Sequence, residues 1–110
     1  MRVHVVREGK VARLTVSGCD AIDSANAATV KADALRLLGD VPDVVVDLTG
    51  VDFLDSAGVG VLVGLFKYSR LRGGRARFCG VSPGVRSVLE LVQLDRIFEI
   101  YDDREAAVRS

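Results

Sequence analysis

The chain contains one histidine, no tryptophan, two cysteines and two prolines in 110 residues. A single histidine, His4, cannot complete a zinc site with Cys19 and Cys79, which lie outside any Cys-x-x-Cys motif. No metal and no cofactor are expected. Two cysteines do not make a disulfide framework in a chain with an ordinary core. They read as small buried apolar residues, with a regulatory disulfide as the alternative. Net charge is also missing: 15 Lys plus Arg balance 15 Asp plus Glu. The broad attraction that non-specific nucleic-acid binding requires is therefore absent, and no direct nucleic-acid contact is expected. The longest near-apolar run, Val59 to Phe66, is too short to span a bilayer. Met1-Arg2-Val3-His4 leads straight into alternating residues with no apolar leader. A cytoplasmic protein without a membrane role is expected.

A hydrophobic content of 49% with 27% charged residues fits a compact globular protein. The length allows one domain, spanning 1–110, and one apolar core. Val3–Val6 and Val11–Ser17, joined by Glu8-Gly9-Lys10, read as a β-hairpin. In the second strand Val11, Leu14 and Val16 are the apolar set, and Ala12 breaks the period. Asp23 or Ser24 is placed to cap a helix whose face carries Ala27, Val30, Ala34, Leu37 and Leu38, with Gly39 as its stop.

Asp43–Leu48 is almost uniformly apolar, as in a parallel strand buried on both faces. A second helix is predicted from Ala57 to about Leu71, and a strand from Arg75 to Val81. A third helix starts at Ser82-Pro83, with Val85, Val88, Leu89 and Val92 as its apolar stripe. A strand from Ile97 to Tyr101 and a helix capped by Asp102 or Asp103 and running through Val108 complete the order ββαβαβαβα. Such alternation implies an α/β fold with a mixed, mostly parallel sheet and right-handed crossovers.

The stretch most informative for function is Val51-Asp52-Phe53-Leu54-Asp55-Ser56-Ala57-Gly58-Val59-Gly60. It lies beyond the carboxyl end of a buried strand, where sites gather in parallel α/β sheets. Ser56 falls at the N-cap or first turn of the second helix, among unpaired N–H groups that tolerate a phosphate. A Ser at this place also serves as a plain cap. Gly58, Gly60 and Gly64 each cost that helix on the order of 1 kcal/mol relative to Ala. Close helix–sheet packing and access for a partner's backbone at Gly58 are the two accounts of that cost. Phe53 and the apolar residues nearest the helix start are candidates for an exposed partner patch.

Ser56 as a hydrolase nucleophile is rejected, because position 54 is Leu where an elbow needs Gly, and His4 lies in the first strand. Gly73-Gly74 with Arg75 and Arg77 reads as a helix stop and solvated strand ends rather than a phosphate cradle. No catalytic residue is assigned.

The run Val46-Asp47-Leu48 through Phe53-Leu54-Asp55-Ser56-Ala57-Gly58-Val59-Gly60-Val61-Leu62 resembles the signature of the STAS superfamily, specifically its anti-sigma factor antagonists. Gly73-Gly74, Val81-Ser82-Pro83, Val88-Leu89-Glu90-Leu91 and Leu94-Asp95-Arg96-Ile97-Phe98 follow the same pattern, so the similarity covers nearly the whole chain. It implies a single STAS domain with helices mainly on one face of the sheet, present as a monomer or weak dimer. It further implies a bacterial regulator of transcription without catalysis of its own. Such an antagonist binds an anti-sigma factor with serine kinase activity, is phosphorylated at the serine matching Ser56, and is reset by a serine phosphatase.

Phe53, Asp55, Ser56, Ala57, Gly58 and Val59 would form the partner surface, with Asp55 shaping the loop. Where the family carries Gly-Glu-Leu-Asp, this chain has Gly18-Cys19-Asp20-Ala21, and Asp20 and Asp23 would supply acid from shifted positions. The alternative is a STAS interaction module of a stress-signalling scaffold or a lipid-transport accessory complex.

Overall fold

In the computed structural model, which describes residues 1–110, β1 (Arg2–Glu8) and β2 (Val11–Ser17) pair antiparallel, with Glu8 opposite Val11. Gly9 turns the chain at φ +65°, while Lys10 stays at negative φ. That combination belongs to a type II′ hairpin turn, whose twist matches the strands. Every later strand of the main sheet adds in parallel: β2 beside β4 (Asp43–Asp47), β4 beside β6 (Ala76–Cys79), and β6 beside β7 (Glu99–Ile100). The sheet order is β1-β2-β4-β6-β7. Parallel neighbours need crossovers, and α1 (Ala27–Leu38), α2 (Ser56–Leu71) and α3 (Pro83–Leu91) supply them. A 3-10 turn (Leu94–Arg96) precedes β7, and α4 (Arg104–Arg109) ends the chain. No helix is long and apolar enough to cross a membrane.

The three crossover helices bury Val30, Leu62 and Leu89 in one core with Leu14, Val46 and Phe78 from the sheet. The opposite face is covered over Val45 and Cys79 by Ala107 of α4. This two-sided cover is why β4 reads as an unbroken apolar run. It also shifts the phase expected for β2. Ala12, Leu14 and Val16 are the buried set, whereas Val11 packs on the other side with the cluster under α4. An apolar residue on each face had disguised the period.

Other boundaries differ in instructive ways. α1 is not capped by Asp23 or Ser24: it starts after Asn26, which makes no side-chain cap bond. Asp23 instead accepts from Ala25 N–H at 3.0 Å and donates its own N–H to Asn26 Oδ1 at 3.0 Å, closing a tight turn before the helix. Leu37, assigned to the apolar face of α1, is 36% exposed. β6 and β7 are shorter than their apolar runs. Asp103, not Asp102, caps α4 by accepting from Ala106 N–H at 2.8 Å.

Arg77 is not a solvated strand end. It is 5% exposed, on the sheet face that α4 covers, beside Glu99 in the register. Arg75 does remain exposed, and its guanidinium pairs with the Glu99 carboxylate. Cys79 lies in the cluster under α4, while Cys19 packs against the main core, so the two thiols stand on opposite faces and remain free. Burial pushes the Cys79 thiol up to about 12, which keeps it protonated and unreactive.

Candidate functional site

The chain leaves β4 through a turn in which Asp47 accepts from Thr49 N–H at 3.0 Å and from its hydroxyl at 2.6 Å. It then forms β5 (Phe53–Leu54), which pairs in parallel with β3 (Ala21–Ile22) as a separate two-stranded sheet. Strands of two residues are too short to show a period, and neither was expected. Their role is positional. Ile22 and Leu54 are fully buried, which pins the loop after β2 against the segment entering α2.

Asp55 is the N-cap of α2, so Ser56 is its first helical residue. One Asp55 oxygen accepts from Gly58 N–H at 2.9 Å and the other from Ser24 N–H at 2.9 Å. The carboxylate thus ties the loop after β3 to the mouth of the helix. The bond from Gly58, then that from Ser24, holds its carboxyl below the ordinary value of 3.8. With both oxygens committed, Asp55 is a structural acceptor. The only histidine, His4, has its ring nitrogen 3.4 Å from the Ser17 hydroxyl in the hairpin.

A pH dependence follows. A carboxyl lowered in the folded state stabilises the fold above its unfolded value, and that contribution fades as pH falls through the lower folded value. Asp55→Asn keeps a capping oxygen and removes the charge. Urea midpoints measured across the acid range should fall more steeply for the wild type than for Asp55→Asn below about pH 4. Parallel curves would refute the assignment.

Ser56 is exposed and stands at the edge of a shallow depression of about 400 Å³ between α2 and α3. Leu54, Val59 and Val88 line its inner part, and Phe53, Leu91 and Val92 its outer part. Phe53 is 51% exposed and Leu91 84%, an unusual display for large apolar side chains. The structure thus brings together Phe53, Asp55, Ser56 and Val59 of the expected set. Ala57 is half-buried against the core, and Asp20 is exposed, its carbonyl accepting from Asp52 N–H at 2.7 Å.

Two expectations change. Gly58 is buried, and a methyl there would overlap the Ile22 carbonyl, so its reason is packing and not access for a partner's backbone. Val92 belongs to the exposed patch, since the buried stripe of α3 is Val85 and Leu89. The α3 contribution went unassigned in the sequence, although Leu91, apolar and out of phase with that stripe, carried the signal.

The family model of the STAS domain matches residues 4–107. An anti-sigma F factor antagonist of Paenibacillus polymyxa is 35% identical over 65 residues, covering 59% of this chain and 56% of that protein. The anti-sigma factor antagonist BtrV of Bordetella bronchiseptica is 34% identical over 87 residues, covering 78% of this chain and 75% of that one. The crystal structure of an anti-sigma factor antagonist from Mycobacterium paratuberculosis superposes with a TM-score of 0.84 at 26% identity, over 98% of this chain and 91% of that one. With the family model matched over residues 4–107 and a 34% identical antagonist covered over three quarters of its length, the chain belongs to the STAS-domain family of anti-sigma factor antagonists.

Proposed function

We propose that this chain is a partner switch governed by Ser56. With its hydroxyl free, the surface around Ser56 docks on an anti-sigma factor that is also an ATP-dependent serine kinase, and a sigma factor is released. Transfer of the terminal phosphoryl group of ATP to the Ser56 oxygen, with loss of the hydroxyl proton and departure of ADP, ends the docking. A serine phosphatase hydrolyses the ester and restores it. The protein regulates and does not catalyse, and its place of work is the cytoplasm.

The observation that carries this reading is the juxtaposition at Ser56. A hydroxyl exposed to a modifying enzyme sits beside an exposed apolar depression, on a helix end held rigid by Asp55. Modification there alters the presented surface while leaving the core alone. Asp20 and Asp23 lie on the chain flanking β3, where they would add acidic contacts at the margin of the same face.

Incubation with a candidate anti-sigma kinase and ATP, followed by peptide mass spectrometry, tests the modification. One phosphate on Ser56 is expected, with none on Ser56→Ala, which should still bind the kinase. Phosphate on Ser24, Thr49 or Ser82 instead would sink the assignment.

A further inference from the structure

Among the three glycines inside α2, one has no explanation in the fold. A methyl at Gly58 would collide with the Ile22 carbonyl, and one at Gly64 would meet Lys31 Cε at 2.9 Å. A methyl at Gly60 would meet nothing within 4 Å. Gly60 lies one turn beyond Ser56 on the outward side of α2, which the half-buried Val63 and the exposed Lys67 continue. It weakens the helix and relieves no internal crowding. Bare backbone on an outward surface is what permits a second backbone to come close.

The surroundings define what approaches. Of eight exposed large apolar residues, five lie in two depressions that share α2 as a wall: Phe53, Leu91 and Val92 near Ser56, and Leu71 and Ile97 near the other end. Lys67 and Arg70 border the second depression. Neither takes part in the chain's three ion pairs, which join Glu8 to Arg13, Asp33 to Arg36 and Glu99 to Arg75. The face is therefore apolar at both ends, with Gly60 and half-buried Val63 between them, and the only cationic residues of α2 itself, Lys67 and Arg70, stand at the end away from Ser56. From Ser56 to Arg70 it runs about 21 Å at helical rise.

We infer that this face seats an amphipathic helix of the partner, about four turns long, with its closest backbone approach at Gly60 and its carboxylates against Lys67 and Arg70. The inference rests on the docking proposed at Ser56 and extends it to the far end of α2. It also names the occupant's chemistry: an apolar stripe at helical spacing, acidic at one end and uncharged where it passes Ser56.

The test uses a synthetic stapled helix of about 16 residues with a leucine stripe and glutamates at one end only, titrated into the isotope-labelled full chain by NMR. Amide shifts should centre on Gly60, Val63 and Val92, and lysines in place of the glutamates should weaken binding at least about tenfold. Gly60→Gln should weaken binding of the acidic peptide by a similar factor. Gly60→Ala should weaken it several-fold while raising Tm by about 4 °C, showing that the loss is not unfolding.

Equal affinity of wild type and Gly60→Gln would overturn the inference, as would shifts centred elsewhere or no binding at millimolar peptide. Self-association of the chain abolished by Gly60→Gln would overturn it too, making a second copy the occupant. The titration needs neither kinase nor ATP. An unmodified Ser56 with the expected peptide shifts would sink the phosphorylation switch alone, whereas a modified Ser56 with no peptide binding would sink only the helix.

Discussion

Gly58→Ala is expected to lower the melting temperature by about 10 °C, reflecting a loss of at least about 2 kcal/mol, although alanine is the better helix former. The cause is a backbone clash with no escape. A Cβ at position 58 would overlap the Ile22 carbonyl oxygen and lie 2.9 Å from its carbon and 3.2 Å from Leu54 Cδ2. The two Ile22 atoms are backbone, and Leu54 Cδ2 ends a side chain fully buried in the core. Ile22 and Leu54 are fully buried and paired in register between β3 and β5. Relief would require α2 to lift from the two-stranded sheet, straining the Asp55 bond to Ser24 as it did so. Two residues along, Gly60→Ala should shift stability the opposite way, because its methyl enters open space. Thermal melts of the two variants give opposite signs if the packing is as described, and a Gly58→Ala protein as stable as wild type would refute it.

That sign reversal marks where local sequence reasoning stops. Gly58, Gly60 and Gly64 carry the same helix penalty on paper, and only the neighbours separate them: a carbonyl, open space and a lysine. The sheet was legible because its signals are periodic or punctuated. The uniform apolar run of β4, the Ser82-Pro83 start of α3 and the glycine turn of the hairpin all mark real elements. β3 and β5 were not legible, since two residues carry no period and their pairing joins segments distant in the chain. Phase in β2 failed because α4, the last element, covers a second face and makes Val11 as apolar as Ala12.

Legibility of the site followed the same division. The sequence left Ser56 between the N-cap and the first turn of α2; the structure gives the cap to Asp55, whose oxygens accept from Gly58 N–H and from the distant Ser24 N–H. Asp55 as cap leaves Ser56 free to face outward. The α3 side of the patch depended on where that helix ends. Once α3 stops at Leu91, neither Leu91 nor Val92 can turn into the core with Val85 and Leu89.

Phosphorylated Ser56 should bind its anti-sigma partner at least about a hundredfold more weakly than the bare chain, equivalent to roughly 2.7 kcal/mol. The modification adds roughly 1.5 to 2 negative charges. The anion position at the start of α2 is already filled, because Asp55 holds Gly58 N–H, so the phosphate gains little from the helix end and projects outward. There it stands beside a carboxylate and above Phe53, Val59 and Leu91, on a surface whose burial would strip its water without offering a cation. Lys67 and Arg70 border the other depression, several turns along α2.

The fold itself should be indifferent, since Ser56 is exposed: urea midpoints of the two forms should differ little. Ser56→Glu, with one charge and two oxygens where the phosphate has more of both, should lose about tenfold, and Ser56→Ala almost nothing. Calorimetric titration of the four forms at low and moderate salt separates the contributions. Charge repulsion across the interface should weaken as salt rises, whereas the cost of burying the phosphate should persist. Equal affinity of the bare and phosphorylated chains would leave Ser56 as no more than the first residue of a helix.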